Sequence, residues 1–507
     1  MNARIDTTNN DLTFGFKNNL CQLSYHFVLS ILIGLSLRMT IFQDEIIAPK
    51  IKSSHSFKYT FKTAFLISFG FTKALSNLVV GRISDLYGRK LPHSIGWVAG
   101  IFLGIMLLYT TKSADTSSDS VNSNTWTWLV IANIFLGFQQ AFTWTTAIFM
   151  WMDILGPKNR ALGSGISNSV GYLSNAITIY ISASFSTEQA FYVVLASSML
   201  GLAISLLGIK DTTDFVTKEV LEKPSILPTN DDTDTIEITT IDTALVEETD
   251  EDINLAACFE DEPDEEHKRV PYEMVSLSTE SQSTTILHQP TTTTSSFLLI
   301  LVQTCWYNKS TAILCVGGLF ANLVTSLAWG LVLIWALQEE SISIHRVRNI
   351  SAGFDFSKAI MMILASSISD RRSSRKPILI GGFLTTTFGL TITALADWRD
   401  VIDVVDQVYY CLLTGGIITG CGIGSVYCVM AGALSDHSLA TDRASAIGIY
   451  KLWRDSGYAV GGLLTGVLAD LSGGSFIVTT LVVAALVGIL VIFFALHYQE
   501  GSQKESD

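Results

Sequence analysis

Twelve stretches of about 20 mainly apolar residues recur along this chain of 507 residues, and each is the length a helix needs to cross a hydrocarbon core roughly 30 Å thick. Lipid offers no water to satisfy backbone N–H and C=O groups, so a run of that length closes its hydrogen bonds within itself as an α-helix. Barrel strands would be shorter and would alternate. The spans fall at 23–42, 61–80, 91–110, 126–149, 161–183 and 189–208, and after a long break at 311–336, 347–368, 377–396, 408–432, 446–469 and 475–497. The predicted fold class is an all-α membrane protein, with 12 transmembrane helices in two bundles of six. Only 15% of the residues are charged, against roughly 25% in soluble chains.

The formal net charge of −14 belongs to one segment. Residues 210–296 hold 22 acidic and 5 basic side chains, so the remainder is slightly positive and the acidity says nothing about a solute. The segment 209–296 is also rich in Ser and Thr and poor in aromatics, which predicts a disordered, solvated linker whose hydroxyls allow phosphorylation. The organisation is then a tail over 1–22, a bundle over 23–208, the acidic loop 209–296, a second bundle over 297–498 and a tail over 499–507. Connections bearing Arg82, Arg89 and Lys90, then Lys158 and Arg160, then Arg371, Arg372, Arg375 and Lys376 fall on one side of the membrane. The positive-inside rule makes that side, with both termini, cytoplasmic. Lys50, Lys52, Lys58, Arg346 and Arg348 lie on the other side and oppose this placement. The first 20 residues are polar, so no cleavable signal is predicted and the first apolar run is read as a span. Seven scattered cysteines form no CxxC pair and read as small buried side chains, with no metal site or cofactor predicted.

The two halves echo each other. Phe71-Thr72-Lys73-Ala74 precedes Ile83-Ser84-Asp85 by the interval that separates Phe356-Ser357-Lys358-Ala359 from Ile368-Ser369-Asp370. A basic pair follows each aspartate, Arg89-Lys90 and Arg375-Lys376. Asp153, Arg160-Ala161, Gly165 and Ile166 match Asp436, Arg443-Ala444, Gly448 and Ile449 at identical spacing. Two echoes at nearly one offset imply a tandem duplication, and two similar halves about a midplane site are the plan of many secondary transporters.

Gly81-Arg82-Ile83-Ser84-Asp85-Leu86-Tyr87-Gly88-Arg89-Lys90 resembles the signature loop between helices 2 and 3 of the major facilitator superfamily, and the resemblance extends over essentially all the predicted spans. Glycines permit a tight turn at the membrane surface. Asp85 can cap N–H groups at the positive end of a neighbouring helix, and Arg89 can pair with it. The resemblance implies that this neighbour is helix 11, whose start lies near Arg443, and that the cluster latches the halves together. Asp370, Arg375, Asp153, Arg160 and Asp436 are the related gating candidates. The plainer reading is a positive-inside turn with no gating role. The second loop departs from the pattern, with Ser366 and Ser373 where glycines are expected and one residue inserted before Arg375.

Ionisable residues inside spans are energetically expensive and face a cavity or a partner. Here they are Arg38, Lys73, Asp355, Lys358, Lys451, Arg454 and Asp455. Lys73 lies twelve residues before Asp85 and Lys358 twelve before Asp370, about 18 Å along a helix, so both fall near the midplane at pseudo-symmetric positions. Asp355 with Lys358, and Lys451 with Asp455, have the spacing for pairing on one helix. Arg38, Lys73 and Arg454 then remain as surplus positive charge, which favours an anionic solute. Structural ion pairs and side chains that snorkel to the surface stay open as the competing reading, as does proton carriage by a lysine or by Asp355. Asn133, Gln139, Gln140, Asn168, Asn175, Asn322 and Trp329 are candidate cavity groups, because the resemblance implies that helices 1, 4, 7 and 10 line the pathway. Each alone is also an ordinary interhelical hydrogen-bonding group. Gly96-Gly100-Gly104, Gly416-Gly420-Gly424 and Gly457-Gly461 recur every fourth residue and predict close helix packing. A nucleotide loop would need a preceding strand and a phosphate-binding lysine.

No nucleophile–base–acid constellation, zinc spacing or ATP-binding domain is visible in the sequence, so neither an enzyme nor a primary pump is expected. The expected function is secondary active transport of a small solute, an organic or inorganic anion, by alternating access, and the resemblance implies protons as a candidate coupling ion. Uniport, a facilitator of neutral or cationic solutes, and a transporter-like receptor signalling through the acidic loop are the alternatives. The expected partners are that solute, protons and membrane lipids, with no nucleic acid. A monomer in the plasma membrane or an organelle membrane is expected.

Overall fold

All twelve apolar runs fold as long helices of 19 to 33 residues, and among the described residues there is no strand. The computed structural model describes residues 13–50, 58–113, 123–182, 184–222, 297–338, 340, 342–372, 374–398 and 404–500. The first bundle comprises α1 (Leu20–Ile47), α2 (Ala64–Tyr87), α3 (Lys90–Ser113), α4 (Ser123–Leu155), α5 (Arg160–Ser182) and α6 (Thr187–Leu207). The second comprises α7 (Lys309–Trp329), α8 (Ile344–Arg371), α9 (Lys376–Ala394), α10 (Val405–Asp436), α11 (Arg443–Leu471) and α12 (Phe476–His497). α7 breaks at Gly330 and continues as Leu331–Gln338. Several helices outrun the predicted spans, α1 reaching Ile47 and α4 reaching Leu155, because a polar side chain ends an apolar run without ending a hydrogen-bonded helix.

Eight of the helical segments are long and apolar enough to cross a membrane by length and composition alone. The other four long helices, α4, α5, α8 and α11, are diluted by polar residues that the protein buries, among them Gln140, Asn168, Lys358 and Asp455. Three of these four form the seam between the bundles, where α2 packs along α11 and α5 packs along α8. Shifting every helix by six exchanges these two pairs, as a duplicated fold requires. Outward faces of α3, α6, α9 and α12 expose Phe102, Met199, Phe388 and Ile492, the apolar surface expected against lipid tails.

Close approach at the seam depends on glycine. A Cβ on Gly81 would strike the Ala444 carbonyl, and one on Gly448 would strike the Asn77 carbonyl. The predicted glycine runs also sit in close crossings, with Gly96 against α4, Gly420 and Gly424 against α8, and Gly457 and Gly461 against α7. Gly416 is the exception, since its nearest neighbour beyond its own helix is the Ile350 carbonyl at 3.8 Å.

The acidic segment does not begin as an open linker. A short helix, Thr213–Glu222, follows α6, and its Phe215 packs with Leu23, Trp151, Ile154 and Leu155. Averaging composition over 209–296 conceals this one amphipathic stretch. Residues 223–296, with Cys258, and the tails 1–12 and 501–507 lie outside the described residues.

Candidate functional site

At the end of the molecule that carries the basic loops, α2 stops because Gly88 takes a left-handed φ of 84°, which a residue without a Cβ adopts freely. The turn lets Arg89 fold back between Asp85 at 3.4 Å and Asp153 at 3.2 Å. Asp85 accepts from both the amide and the hydroxyl of Ser445, each at 2.7 Å, so its charge meets the positive start of α11. The second half repeats the device. Arg375 bridges Asp370 at 3.2 Å and Asp436 at 2.7 Å, and Asp370 accepts the Leu162 amide at the start of α5 at 2.7 Å. Two matching clusters therefore form, although the second loop departs from the first in sequence. Arg82, half-buried, stays outside both bridges, and the Lys90 ammonium donates to the Leu206 carbonyl at 2.9 Å.

Glu219, in the short helix after α6, is a seam residue that sequence reasoning missed. It is 4% exposed and accepts from Arg160 at the start of α5 and from Arg443 at the start of α11, the latter at 2.7 Å. Arg443 also lies 3.8 Å from Asp153, and Arg160 donates to the Ser435 carbonyl at 3.3 Å. One carboxylate thus ties an arginine of each half. The signal for it was the alternation of Phe215 and Val216 with Glu219 at helical spacing inside an otherwise polar segment.

The opposite end is bridged as well. Asp470 of α11 accepts from the Tyr59 amide at 2.7 Å and from the Thr60 amide and hydroxyl at 3.0 and 2.7 Å. Gln338 donates to the Pro49 carbonyl at 3.1 Å. With contacts across the halves at both ends, the groups between them are sealed in an occluded arrangement.

At the centre an aromatic hub gathers side chains from both bundles. Tyr172 of α5 lies 5.3 Å from Trp144, 6.2 Å from Trp329 and 5.8 Å from Tyr427 between ring centres. Tyr458 of α11 stacks on Trp329 at 5.7 Å and meets Phe69 at 5.2 Å. The Tyr172 hydroxyl lies 3.3 Å from those of both Tyr427 and Tyr458. Four cations surround the hub. Arg38 sits 5.2 Å from the Trp329 ring, Lys73 5.5 Å from Trp144 and 5.3 Å from Tyr458, Lys358 4.1 Å from Tyr172, and Arg454 4.6 Å from Tyr427. All four are buried, where attraction to a ring face is strongest because water does not compete.

The ion pairs differ from those the sequence suggested. Asp355 pairs across helices with Arg38 at 3.7 Å and accepts the Trp329 indole N–H at 3.1 Å. Lys358 instead donates to the Thr325 hydroxyl at 3.0 Å. Asp455 accepts from Asn77, Asn322 and Arg454, each at 2.8 Å, and lies 3.8 Å from Lys73. Lys451 donates to Thr145 of α4 at 2.9 Å. Asp355 and Lys451 find their partners across helices, whereas Asp455 takes its nearest charge, Arg454, from its own helix. Arg38 is therefore not surplus: it also holds Glu45 through two bonds of 2.7 and 3.0 Å. Among the described residues, five cations (Arg38, Lys73, Lys358, Lys451, Arg454) share this buried region with four carboxylates (Asp44, Glu45, Asp355, Asp455), Asp44 accepting from Asn133.

Other candidates fall away from the hub. Gln139 packs against Gly100 of α3, while Gln140 donates to the Ile33 carbonyl at 3.2 Å and to Gln139 at 2.7 Å. Asn133 donates to Asp44 at 2.8 Å, and Asn175 faces the Gly34 carbonyl within the first bundle. Asn168 accepts the Trp144 indole N–H at 2.8 Å and so orients a hub ring.

The sequence profile described as Major Facilitator Superfamily matches residues 27–247 and 314–507. Among solved structures, the human organic anion transporter MFSD10 (TETRAN) is similar with a TM-score of 0.59 at 11% identity, over 94% of this chain and 99% of that one. The proton:xylose symporter XylE bound to 6-bromo-6-deoxy-D-glucose is similar with a TM-score of 0.59 at 11% identity, over 95% of this chain and 98% of that one. No curated protein sequence matches the chain.

Proposed function

The chain belongs to the major facilitator superfamily, a family of multi-pass membrane transporters, and from that premise we propose that it carries a small organic anion by alternating access through the aromatic hub. The observation that carries this reading is the charge imbalance about the hub, five buried cations against four carboxylates among the described residues. An anionic group entering among Lys73, Lys358 and Arg454 would complete pairings that the protein leaves short, and the tyrosine and tryptophan rings suit a flat or apolar body. Both lysines lie on the seam helices, α2 and α8, so a bound anion touches both halves at once. That is the condition for a solute to bias a two-state rocking motion. The concentration of arginine and lysine at one end supports placing that end and both termini in the cytoplasm. Protons are proposed as the coupling ion.

Uptake into proteoliposomes tests the reading. Labelled aromatic carboxylates, a neutral sugar and an organic cation are compared, each with and without an inward proton gradient. Saturable carboxylate uptake that the gradient accelerates is expected, and Lys73→Met with Lys358→Met lowers it by about tenfold or more, since charge-assisted bonds are worth about 1.5–3 kcal/mol each. Undiminished uptake in the double variant rejects the anion site. Tight binding without flux rejects transport in favour of a solute receptor.

A further inference from the structure

The outer face of the second bundle carries a two-part cavity that the hub does not use. Before α7 the chain passes through Phe297–Val302 and a π-helical turn, Gln303–Tyr307, and then breaks at Asn308 with φ −91° and ψ 107°. The break swings the incoming segment off the axis of α7 and leaves a notch beside it. A groove of about 510 Å³ lies between the outer faces of α7, α11 and α12, walled by Val316, Phe320, Trp453, Ile489 and Phe493. A second cavity of about 680 Å³, lined by Ser310, Thr311, His437 and Gln499 among others, lies next to it. Lys309 and His497 line both cavities and so stand at their junction.

The two cavities differ in chemistry. The groove walls are nearly all apolar, and Ile489 and Phe493 are half exposed on the lipid-facing side of α12. The second cavity is polar, with Asp442, 6% exposed, as the one carboxylate among its lining residues. Trp306 and Tyr307, 66% and 80% exposed, flank the junction, and exposed aromatics at a helix end mark the membrane–water boundary. Lys309 therefore sits at the depth of lipid headgroups, at the positive start of α7. Burial pushes the His437 imidazole below its ordinary value against the pull of Asp436, so near neutral pH it serves as an uncharged hydrogen-bonding group.

An apolar slot opening sideways into lipid and joined at a cationic threshold to a polar pocket suits an amphiphile with an acyl chain and a phosphate. The geometry points to a binding site here for one anionic glycerophospholipid, its acyl chain in the groove and its phosphate at Lys309 and His497. Trp453 in the groove wall immediately precedes Arg454 of the hub, so the lipid buttresses the helix that carries Arg454. This site stands independently of the solute proposed above.

Native mass spectrometry of the delipidated full-length chain tests the site, with phosphatidylglycerol and phosphatidylcholine of identical acyl chains as probes. One phosphatidylglycerol is expected to be retained with a preference of roughly fivefold, the scale one lysine gives at a membrane surface. Lys309→Gln with His497→Gln, both exposed positions, abolishes the preference, while Lys309→Arg keeps it. Ile489→Trp, which fills the groove from its exposed side, lowers retention of the lipid without altering folding. Equal retention of the two lipids, or an unchanged preference in the double variant, overturns the proposal. Displacement of phosphatidylglycerol by excess inorganic phosphate alone also overturns it, because the site would then hold a free anion rather than a lipid.

Discussion

Asp455 shows how one side chain holds the hub in place. It accepts hydrogen bonds from Asn77, Asn322 and Arg454 and faces Lys73, so three helices converge on one carboxylate. Removing one partner from a buried pair leaves the other charge uncompensated, at a cost of about 3–5 kcal/mol. Asp455→Ala strands Arg454 and Lys73 together, and a clear fall in the thermal midpoint of the detergent-purified protein is expected. An unchanged midpoint would mean that water reaches these cations. Lys73 and Lys358 were legible in the sequence because a fixed spacing from Asp85 and Asp370 sets their depth. Glu45 and Asp44 were not, because the first span was ended at residue 42, before the carboxylates that the helix in fact carries inward. Tyr172, Tyr427 and Tyr458 were hidden for another reason: within an apolar run an aromatic reads as packing, and only tertiary contact reveals three hydroxyls meeting.

The short helix Thr213–Glu222 matters at the scale of elements. It is anchored by Thr212 donating to Asp153 at 2.8 Å and by Asp211 accepting the Lys90 amide at 2.9 Å, and it delivers Glu219 to arginines of both bundles. Glu219→Gln leaves Arg160 and Arg443 facing each other without their shared anion. Faster hydrogen exchange at the starts of α5 and α11 is expected, and exchange equal to the unaltered protein would show that Glu219 holds nothing. Asp211 adds a pH dependence. Burial alone pushes its carboxyl up, but the Thr213 hydroxyl and amide, the Lys90 amide and the Arg89 guanidinium outweigh that and hold it below its ordinary value. A lowered carboxylate stabilises the docked state fully above its unfolded value of about 3.9, and the contribution disappears as pH falls through the lowered value. Exchange protection over 209–222, corrected for intrinsic rates, is therefore expected to hold from neutral pH to about 5 and to weaken only below about 4. Asp211→Asn removes that acid limb. Eight of the twelve long helices were legible because apolar length alone specifies them, and α4, α5, α8 and α11 because their apolar runs continue past scattered polar residues. This short one was not, because its stability comes from docking Phe215 against α1 and α4, a tertiary contact that composition does not record.

In the whole molecule, the pseudo-twofold of the fold was written in the repeated motifs, whereas its occluded state was not, because closure depends on which end's contacts prevail. The basic-loop end is closed by Asp85 on the start of α11, Asp370 on the start of α5 and Glu219 between two arginines. The opposite end is closed by Asp470 and Gln338. A carboxylate at a helix start contributes typically 0.3–1 kcal/mol, up to about 2 where partly buried. Asp85→Asn with Asp370→Asn thus removes about 2–3 kcal/mol from one end only, a shift of roughly 30- to 150-fold between two states. Spin labels at Tyr87 and Leu439, exposed positions of opposite halves at the basic-loop end, are expected to move apart in the double variant. Labels at Phe185 and Leu471, in the two halves at the other end, keep their separation or draw together. If both distances stay as they are, the two latches do not hold the halves. If the second pair separates instead, the seams control the ends in the reverse sense, and alternating access would have to be set by the hub rather than by the loops.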